Sequence, residues 1–442
     1  MPTTAAPESA GMWAPEVETL DRDALGELQL KRLRTTVRRV LAAQPRGAER
    51  LTDAGIAAAE DIRSLEDLRA VGFMTKAELR AAYPFGLFTV PREEIVRIHA
   101  SSGTHGKPTV VGYTRADLDN WTDLMARCMT TAGVRPGMLV HNANGYGLFT
   151  GGFGFHQGAE RLGATIAPVS GGFTARQVMM LHDLGGDVLV STPSYALTIA
   201  AAIREAGIDP ATLPLRLGLF GGEPWTEQMR DRLDRELCFR AVNFFGLSEM
   251  CGPGVAVECV EQRHGLHVNE DHFLTEVIDP EDGRVLAPGA EGELVFTTLT
   301  KEALPLVRYR TGDIGRLSTE PCACGRTTAR LEGLRGRIDD MVVIRGVNVY
   351  PSNIEHLLLS VEGIAPHYRL TVERPDVLDE LTLECEAVGR GDEDGRRALA
   401  EQIVARLREH MGLRITVLVH EPDSLPRSEG KAIRLVDRRP KA

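Results

Sequence analysis

Residues 99–113 read HASSGTHGKPTVVGY, a stretch that groups Ser101, Ser102, Gly103, Thr104, Gly106 and Lys107. Small hydroxyls, exposed backbone N–H groups and one lysine are what a loop needs to wrap a polyphosphate. A P-loop of the NTPase kind would need a glycine five residues before Gly106 and a hydroxyl residue after the lysine. The chain has Ser101 and Pro108 there. The loop is therefore another phosphate grip or, taken alone, a solvent-exposed turn.

Three charged residues elsewhere bear on that choice. Glu249, in FFGLSEMCGPG, follows an expected strand, and a carboxylate in such a turn can hold Mg2+ against phosphates. Asp313, in YRTGDIGR, sits in a similar turn where it could accept both hydroxyls of a ribose. Lys431 lies in RSEGKAIR near the C-terminus and by itself would read as a surface charge.

The cysteines suggest a second chemistry. Cys322 and Cys324 form a Cys-x-Cys in EPCACGRT, and Cys259 stands upstream in ECVEQRHGLH beside His264 and His267. Three thiolates and one imidazole would make a closed tetrahedral zinc site, provided the fold closes the gap between the halves. The alternative is reduced thiols without metal. Cys128, Cys238 and Cys385 lie in apolar or periodic contexts and are expected as small core residues.

These groups need elements to hold them. Leu25, Leu28, Leu33, Val37 and Val40 recur at helical spacing, and TKAE (Thr75 to Glu78) is a capping box before another helix. From residue 114 short apolar runs (MLVHNA, TIAPVS, VLVST, LRLGLF, RAVNFF) alternate with longer periodic segments. That alternation predicts βαβ units, a parallel-rich sheet flanked by helices, and sites at the strand ends. After residue 270 the turns EDGR and PGAEG separate β-rich runs, which predicts antiparallel strands in a small barrel-like subdomain. Beyond GRIDDMVVIRG the pattern is that of a compact α+β unit. The expected domains are 1–336 and 337–442.

Bulk properties exclude several classes. A net charge of -11 argues against electrostatic nucleic-acid binding. No apolar run approaches the ~20 residues that span a bilayer, and the N-terminus lacks the layout of a signal peptide. The reading is a cytoplasmic protein with no nucleic-acid or membrane partner.

In their order, ASSGTHGKPTVVGYTRADL, GGFGFHQGAERLGATIAPVSGG, TPSY, GGEPWT, FFGLSEMCGPGVAVEC, GLHVNEDHF, TLTKEALPLVRYRTGDIGRL, GRIDDMVVIRGVNVYPSNIE and LPRSEGKAIR resemble the acyl-adenylate-forming superfamily. The likeness is greatest to its phenylacetate–coenzyme A ligase branch, and it covers most of the chain. The resemblance implies a large N-terminal domain, a small mobile C-terminal domain and two half-reactions. A carboxylate attacks the α-phosphate of ATP to give acyl-AMP and pyrophosphate, and a thiol, usually coenzyme A, then takes the acyl group.

Roles follow position by position. Ser101, Ser102, Gly103, Thr104, Gly106 and Lys107 would hold the departing phosphates. Glu249 would ligate Mg2+, with Ser248 beside it. Gly222, Glu223 and Pro224 would flank the adenine opposite Phe244, Phe245 and Gly246. Asp313 would take the ribose, Arg337 would support it, and Asp339 would be the hinge. Lys431 would promote adenylation from the mobile domain. The resemblance also implies the zinc, favours His267 over His264 as its ligand, and implies a homodimer.

For the acid, glycines leave room while Tyr146, Phe149 and Phe153 offer flat faces, with Gly171, Gly246, Pro253 and Gly254 around them. An aryl or arylacetic acid fits, and small polar differences would select an amino- or hydroxybenzoate. The rival readings are delivery of the acyl group to a carrier protein or amine, and a non-catalytic nucleotide-binding protein. The intact Lys107, Glu249, Asp313 and Lys431 argue against the latter.

Overall fold

The computed structural model describes residues 11–101, 108–338, 342–344, 347–375, 379–411, 415–427 and 432–439. After α1 (Pro15–Glu18), Asp21 accepts the Ala24 N–H at 2.8 Å and starts α2 (Arg22–Ala43), which buries Leu25, Leu33, Val37 and Val40. Then come α3 (Pro45–Asp53) and α4 (Lys76–Ala81), where Glu78 accepts the Thr75 N–H at 2.8 Å in the expected box.

β1 (Arg97–Ala100) and β2 (Val110–Tyr113) pair antiparallel with Ala100 opposite Val110, which brings together the two ends of the segment expected to grip phosphates. Ser101 donates its N–H to the Thr109 carbonyl at 3.0 Å. Ser102, Gly103, Thr104, Gly106 and Lys107 lie outside the described residues.

The main layer begins with α5 (Arg115–Thr131) and alternates strictly: β3 (Leu139–Asn142), α6 (Thr150–Leu162), β4 (Thr165–Ala167), α7 (Thr174–Leu184), β5 (Val188–Ser191), α8 (Pro193–Glu205), β6 (Leu217–Gly221), α9 (Glu227–Leu237), β7 (Arg240–Leu247). The five strands are parallel, and every residue of β5 is buried, as a strand covered on both faces requires. At β7 the sheet changes character. β8 (Gly252–Glu258), β9 (Leu266–Val268), β10 (Phe273–Ile278), β11 (Gly292–Thr298), β12 (Tyr309–Ser318) and β13 (Arg330–Arg337) pair antiparallel, and all eleven strands form one sheet in the order β10-β11-β12-β13-β9-β8-β7-β6-β5-β3-β4. The β-rich segment seen in the sequence thus continues the parallel half through the β7–β8 pair.

A second unit follows. β14 (Val342–Ile344) and β15 (Val347–Val349) form a hairpin, then α10 (Pro351–Leu359), β16 (Ile364–Glu373), β17 (Glu380–Ala387), α11 (Glu393–Met411), β18 (Thr416–His420) and β19 (Leu435–Asp437) build a four-stranded sheet, β18-β17-β16-β19. Val342, Ile354, Leu358, Leu370, Leu383 and Ile403 fill its own core. Cys128 and Cys385 are core residues as expected. Cys238 is not: it occupies the left-handed position that ends α9 (φ 56°) and is exposed, because the helix stops before its periodic apolar stripe can claim it.

Candidate active site

The carboxyl ends of β3 to β7 present their loops on one edge of the sheet, where open α/β sheets bind ligands. Gly222, Glu223 and Pro224 follow β6 there. Gly221 is registered beside Phe244 of β7, so the two segments expected around an adenine are neighbours. Phe244 is buried against Phe155 with ring centroids 5.0 Å apart, and Phe245 stacks on Phe296 at 6.1 Å. A β-bulge falls between Phe245 and Gly246. A Cβ on Gly246 would collide with the Gly252 carbonyl oxygen, so this close approach of two backbones requires glycine.

The tight connection from β7 to β8 carries Ser248 and Glu249. Ser248 Oγ lies 3.5 Å from Thr150 Oγ1 in the first turn of α6. Glu249 is only 4 % exposed, yet among the described residues the cation at its side is Lys76, whose Nζ is 3.8 Å from Oε1. The Tyr309 hydroxyl donates to the same oxygen at 3.5 Å. A buried carboxylate with its charge directed to a cation suits Mg2+ that takes its other ligands from phosphates. Sequence reasoning saw Lys76 only within a capping box, which carries no signal of a partner; the pairing with Glu249 comes from the packing of its helix against β12.

Asp313 lies on β12 opposite Arg337 of β13. The side chain of Arg337 lies outside what is described, as do Asp339 and Lys431. Ala432, the residue after Lys431, donates its N–H to Glu223 Oε2 at 2.8 Å. The other oxygen of Glu223 accepts the Ser194 N–H at 2.7 Å, at the start of α8.

The aromatic loop after β3 is held by a residue that sequence reasoning passed over. Asn142 Nδ2 donates to the Tyr146 hydroxyl at 2.8 Å and to the Gly152 carbonyl at 2.9 Å. Burial pushes the Tyr146 hydroxyl up to about 12 against the opposing pull of Asn142, so it is protonated at neutral pH. Phe153 meets Tyr146 edge-on at 5.3 Å. Phe149, at the N-terminal cap of α6, is 52 % exposed. The Ser170 N–H on the next loop donates to the Asn142 carbonyl at 3.1 Å, which brings Gly171 toward the same group. Pro253 accepts the Trp121 indole N–H at 2.8 Å, and Gly254 (φ 114°) accepts from Asn269 at 2.8 Å.

The cysteine halves are joined by strand pairing. Arg330 of β13 is opposite His267 of β9, so the turn holding Cys322 and Cys324 folds back over Cys259. Their ligand atoms and that of His267 all lie within 4.8 Å of one another. Cys259 Sγ is 3.5 Å from Cys322 Sγ, and Cys324 Sγ is 3.4 Å from His267 Nε2. Donors about 2.3 Å (sulfur) and about 2.0 Å (nitrogen) from a tetrahedral centre stand roughly 3.5 to 3.8 Å apart, close to these two separations. The remaining imidazole nitrogen of His267 faces Thr328 Oγ1 at 3.1 Å, the kind of outer partner that fixes a ligating ring. A hydrogen bond with Cys259, and after it His267, holds the Cys324 thiol well below its usual range, although burial opposes this. His264 stands apart, 66 % exposed and 3.9 Å from Glu332. The donor set fits zinc.

Residues 75–299 match the AMP-binding enzyme family and residues 346–439 the AMP-binding enzyme C-terminal domain. Along 96 % of its length the chain is 49 % identical to the phenylacetate–coenzyme A ligase of Thermus thermophilus, covering 99 % of that protein. This chain belongs to the phenylacetate–coenzyme A ligase family. Among solved structures, a 2-hydroxyisobutyryl-CoA ligase in its postadenylation state superimposes with a TM-score of 0.89 at 30 % identity, over 98 % of this chain and 94 % of the other. The same ligase in its thioesterification state, with acyl-AMP and CoA, gives 0.73 at 31 % identity over 99 % and 94 %. The likeness to the postadenylation form is thus greater than that to the thioesterification form. Among the described residues no helix is long and apolar enough to cross a membrane.

Proposed function

We propose that this protein activates an aromatic carboxylic acid with ATP, forms an acyl-AMP, and transfers the acyl group to coenzyme A. The observation that carries the reading is the meeting of Ser248, Glu249, Thr150 and Lys76 at the carboxyl edge of the parallel strands, beside the Gly222–Pro224 segment and the loop of Tyr146 and Phe153. The acid would lie against Tyr146 and Phe153, with its carboxylate toward Ser248. Gly222, Glu223, Pro224 and Phe244–Gly246 would enclose the adenine, Asp313 and Arg337 would hold the ribose, and Ser101–Lys107 would grip the pyrophosphate. Lys431 would neutralise charge on the attacking carboxylate and α-phosphate. Catalysis in this scheme is positioning and charge neutralisation, with no covalent enzyme intermediate. Mg2+ on Glu249 would neutralise the phosphate oxygens. Zinc on Cys259, His267, Cys322 and Cys324 would be structural, since four protein ligands leave no open position. The division at residues 336/337, the hinge at Asp339 and the homodimer belong to the same proposal.

The test is ATP–pyrophosphate exchange over a panel of aryl, arylacetic and aliphatic acids, repeated with coenzyme A and scored for thioester. Exchange and thioester formation with aryl acids are expected. Exchange without thioester would place the acyl group on a carrier protein or amine, and exchange with aliphatic acids alone would remove the aromatic assignment.

A further inference from the structure

Glu223 stands in the segment read as an adenine flank, yet its carboxylate is engaged elsewhere. One oxygen accepts the Ser194 N–H at 2.7 Å, the natural place for an anion at the first turn of a helix. The other accepts the Ala432 N–H at 2.8 Å, from the segment leading into β19. The carboxylate therefore joins the large sheet to the C-terminal unit.

A second contact crosses the same seam, with the C-terminal unit again the donor. Arg434 is built into the C-terminal unit: it donates to the Pro366 carbonyl at 3.0 Å, lies 4.4 Å over the Tyr368 ring, and stands 3.6 Å from buried Glu355. Its remaining reach is to the other unit, where it donates to Ser194 Oγ at 3.0 Å. Ser194 thus meets the seam twice, giving its N–H to Glu223 and accepting Arg434 on its hydroxyl. It is buried at 7 % exposure. Charge-assisted hydrogen bonds of this kind, shielded from water, are stronger than neutral surface ones.

Resting on the function proposed above, we propose that Glu223, Ser194 and Arg434 form a latch that favours the lobe arrangement used for acyl-AMP formation and must open before thioester formation. Ser194 and Arg434 are positioning residues: they act through the seating of the C-terminal unit. Both contacts are made in this structure, whose likeness is greater to the postadenylation form of the solved ligase than to its thioesterification form, and a rotation of the C-terminal unit away from Ser194 would separate them. Its strength therefore sets how the protein divides between the two half-reactions.

Ser194→Ala removes the hydroxyl and leaves the backbone N–H, and Ser194→Thr keeps the hydroxyl. The expected result for Ser194→Ala is acyl-AMP formation slower by about tenfold, thioester formation from supplied acyl-AMP and coenzyme A undiminished, and faster amide hydrogen exchange across residues 432–438. Ser194→Thr should restore both readouts. Equal losses in the two half-reactions, or unchanged exchange in 432–438, would overturn the latch. A wild-type protein that activates no acid would defeat the proposed function alone, since the exchange comparison between variants reads the latch without turnover.

Discussion

Cys259 and Cys322 are 63 positions apart in the chain, yet their sulfurs stand 3.5 Å apart. Strand pairing makes that meeting: His267 and Arg330 face each other across β9 and β13. Protein purified without a metal-binding tag should carry about one zinc per chain. Cys322→Ser and Cys324→Ser should each abolish most of that content and lower the melting temperature by several degrees, because the turn between β12 and β13 loses its anchor. Acyl-AMP formation at low temperature should be little changed. Metal-free protein with the same melting temperature as the zinc-treated protein would defeat this prediction.

Lys76 and Glu249 form a charge pair at 3.8 Å, with the carboxylate 5 % exposed on its side chain. If Lys76 works through Glu249, their effects will not add. Lys76→Met should reduce pyrophosphate exchange about tenfold, and Glu249→Gln should reduce it further by removing the charge for Mg2+. The double variant should be no worse than Glu249→Gln. Additive losses, measured as exchange rate against Mg2+ concentration, would separate the two residues.

The parallel half of the fold was legible because its inner strands, β5 and β6, are buried on both faces and its helices carry apolar faces, two patterns that a sequence writes openly. The meeting of Cys259, His267, Cys322 and Cys324 was legible for another reason: three thiols and an imidazole at such spacing have few uses other than holding one ion together. Lys76, Asn142 and Ser194 were not legible. Each is an ordinary polar residue at the end of an element, and its meaning comes from a partner 173, 4 or 240 positions away, a relation that only the folded chain creates. Cys238 misled in the other direction, since periodicity cannot say where a helix will end.

Gly246 tests the adenine side. Its α-carbon sits against the Gly252 carbonyl across the β7–β8 bulge, with no space for a methyl group. Gly246→Ala should force the pair apart, displace the turn that carries Ser248 and Glu249, and remove at least about 90 % of acyl-AMP formation, a loss of about 1.4 kcal/mol or more in barrier. The melting temperature should also fall. A variant with wild-type melting temperature and KM for ATP would show that the strands absorb the methyl group elsewhere.

The C-terminal unit should show its own pH response through His367. Burial comes first, and the cations Arg427, Arg434 and Arg232 add to it against Glu386, so the imidazole is pushed down to about 4. In the unfolded chain it would titrate near about 6.5. As pH falls below that value the unfolded chain takes the proton first, so stability fully present above about 6.5 is lost progressively toward about 4. One such proton imposes a slope of at most about 1.4 kcal/mol per pH unit. His367→Gln should flatten the dependence of melting temperature on pH between 6.5 and 4.5 while leaving values above pH 7 nearly unchanged. The same slope in wild type and variant would assign the acid sensitivity to other buried histidines, such as His141 and His272, which burial also pushes down.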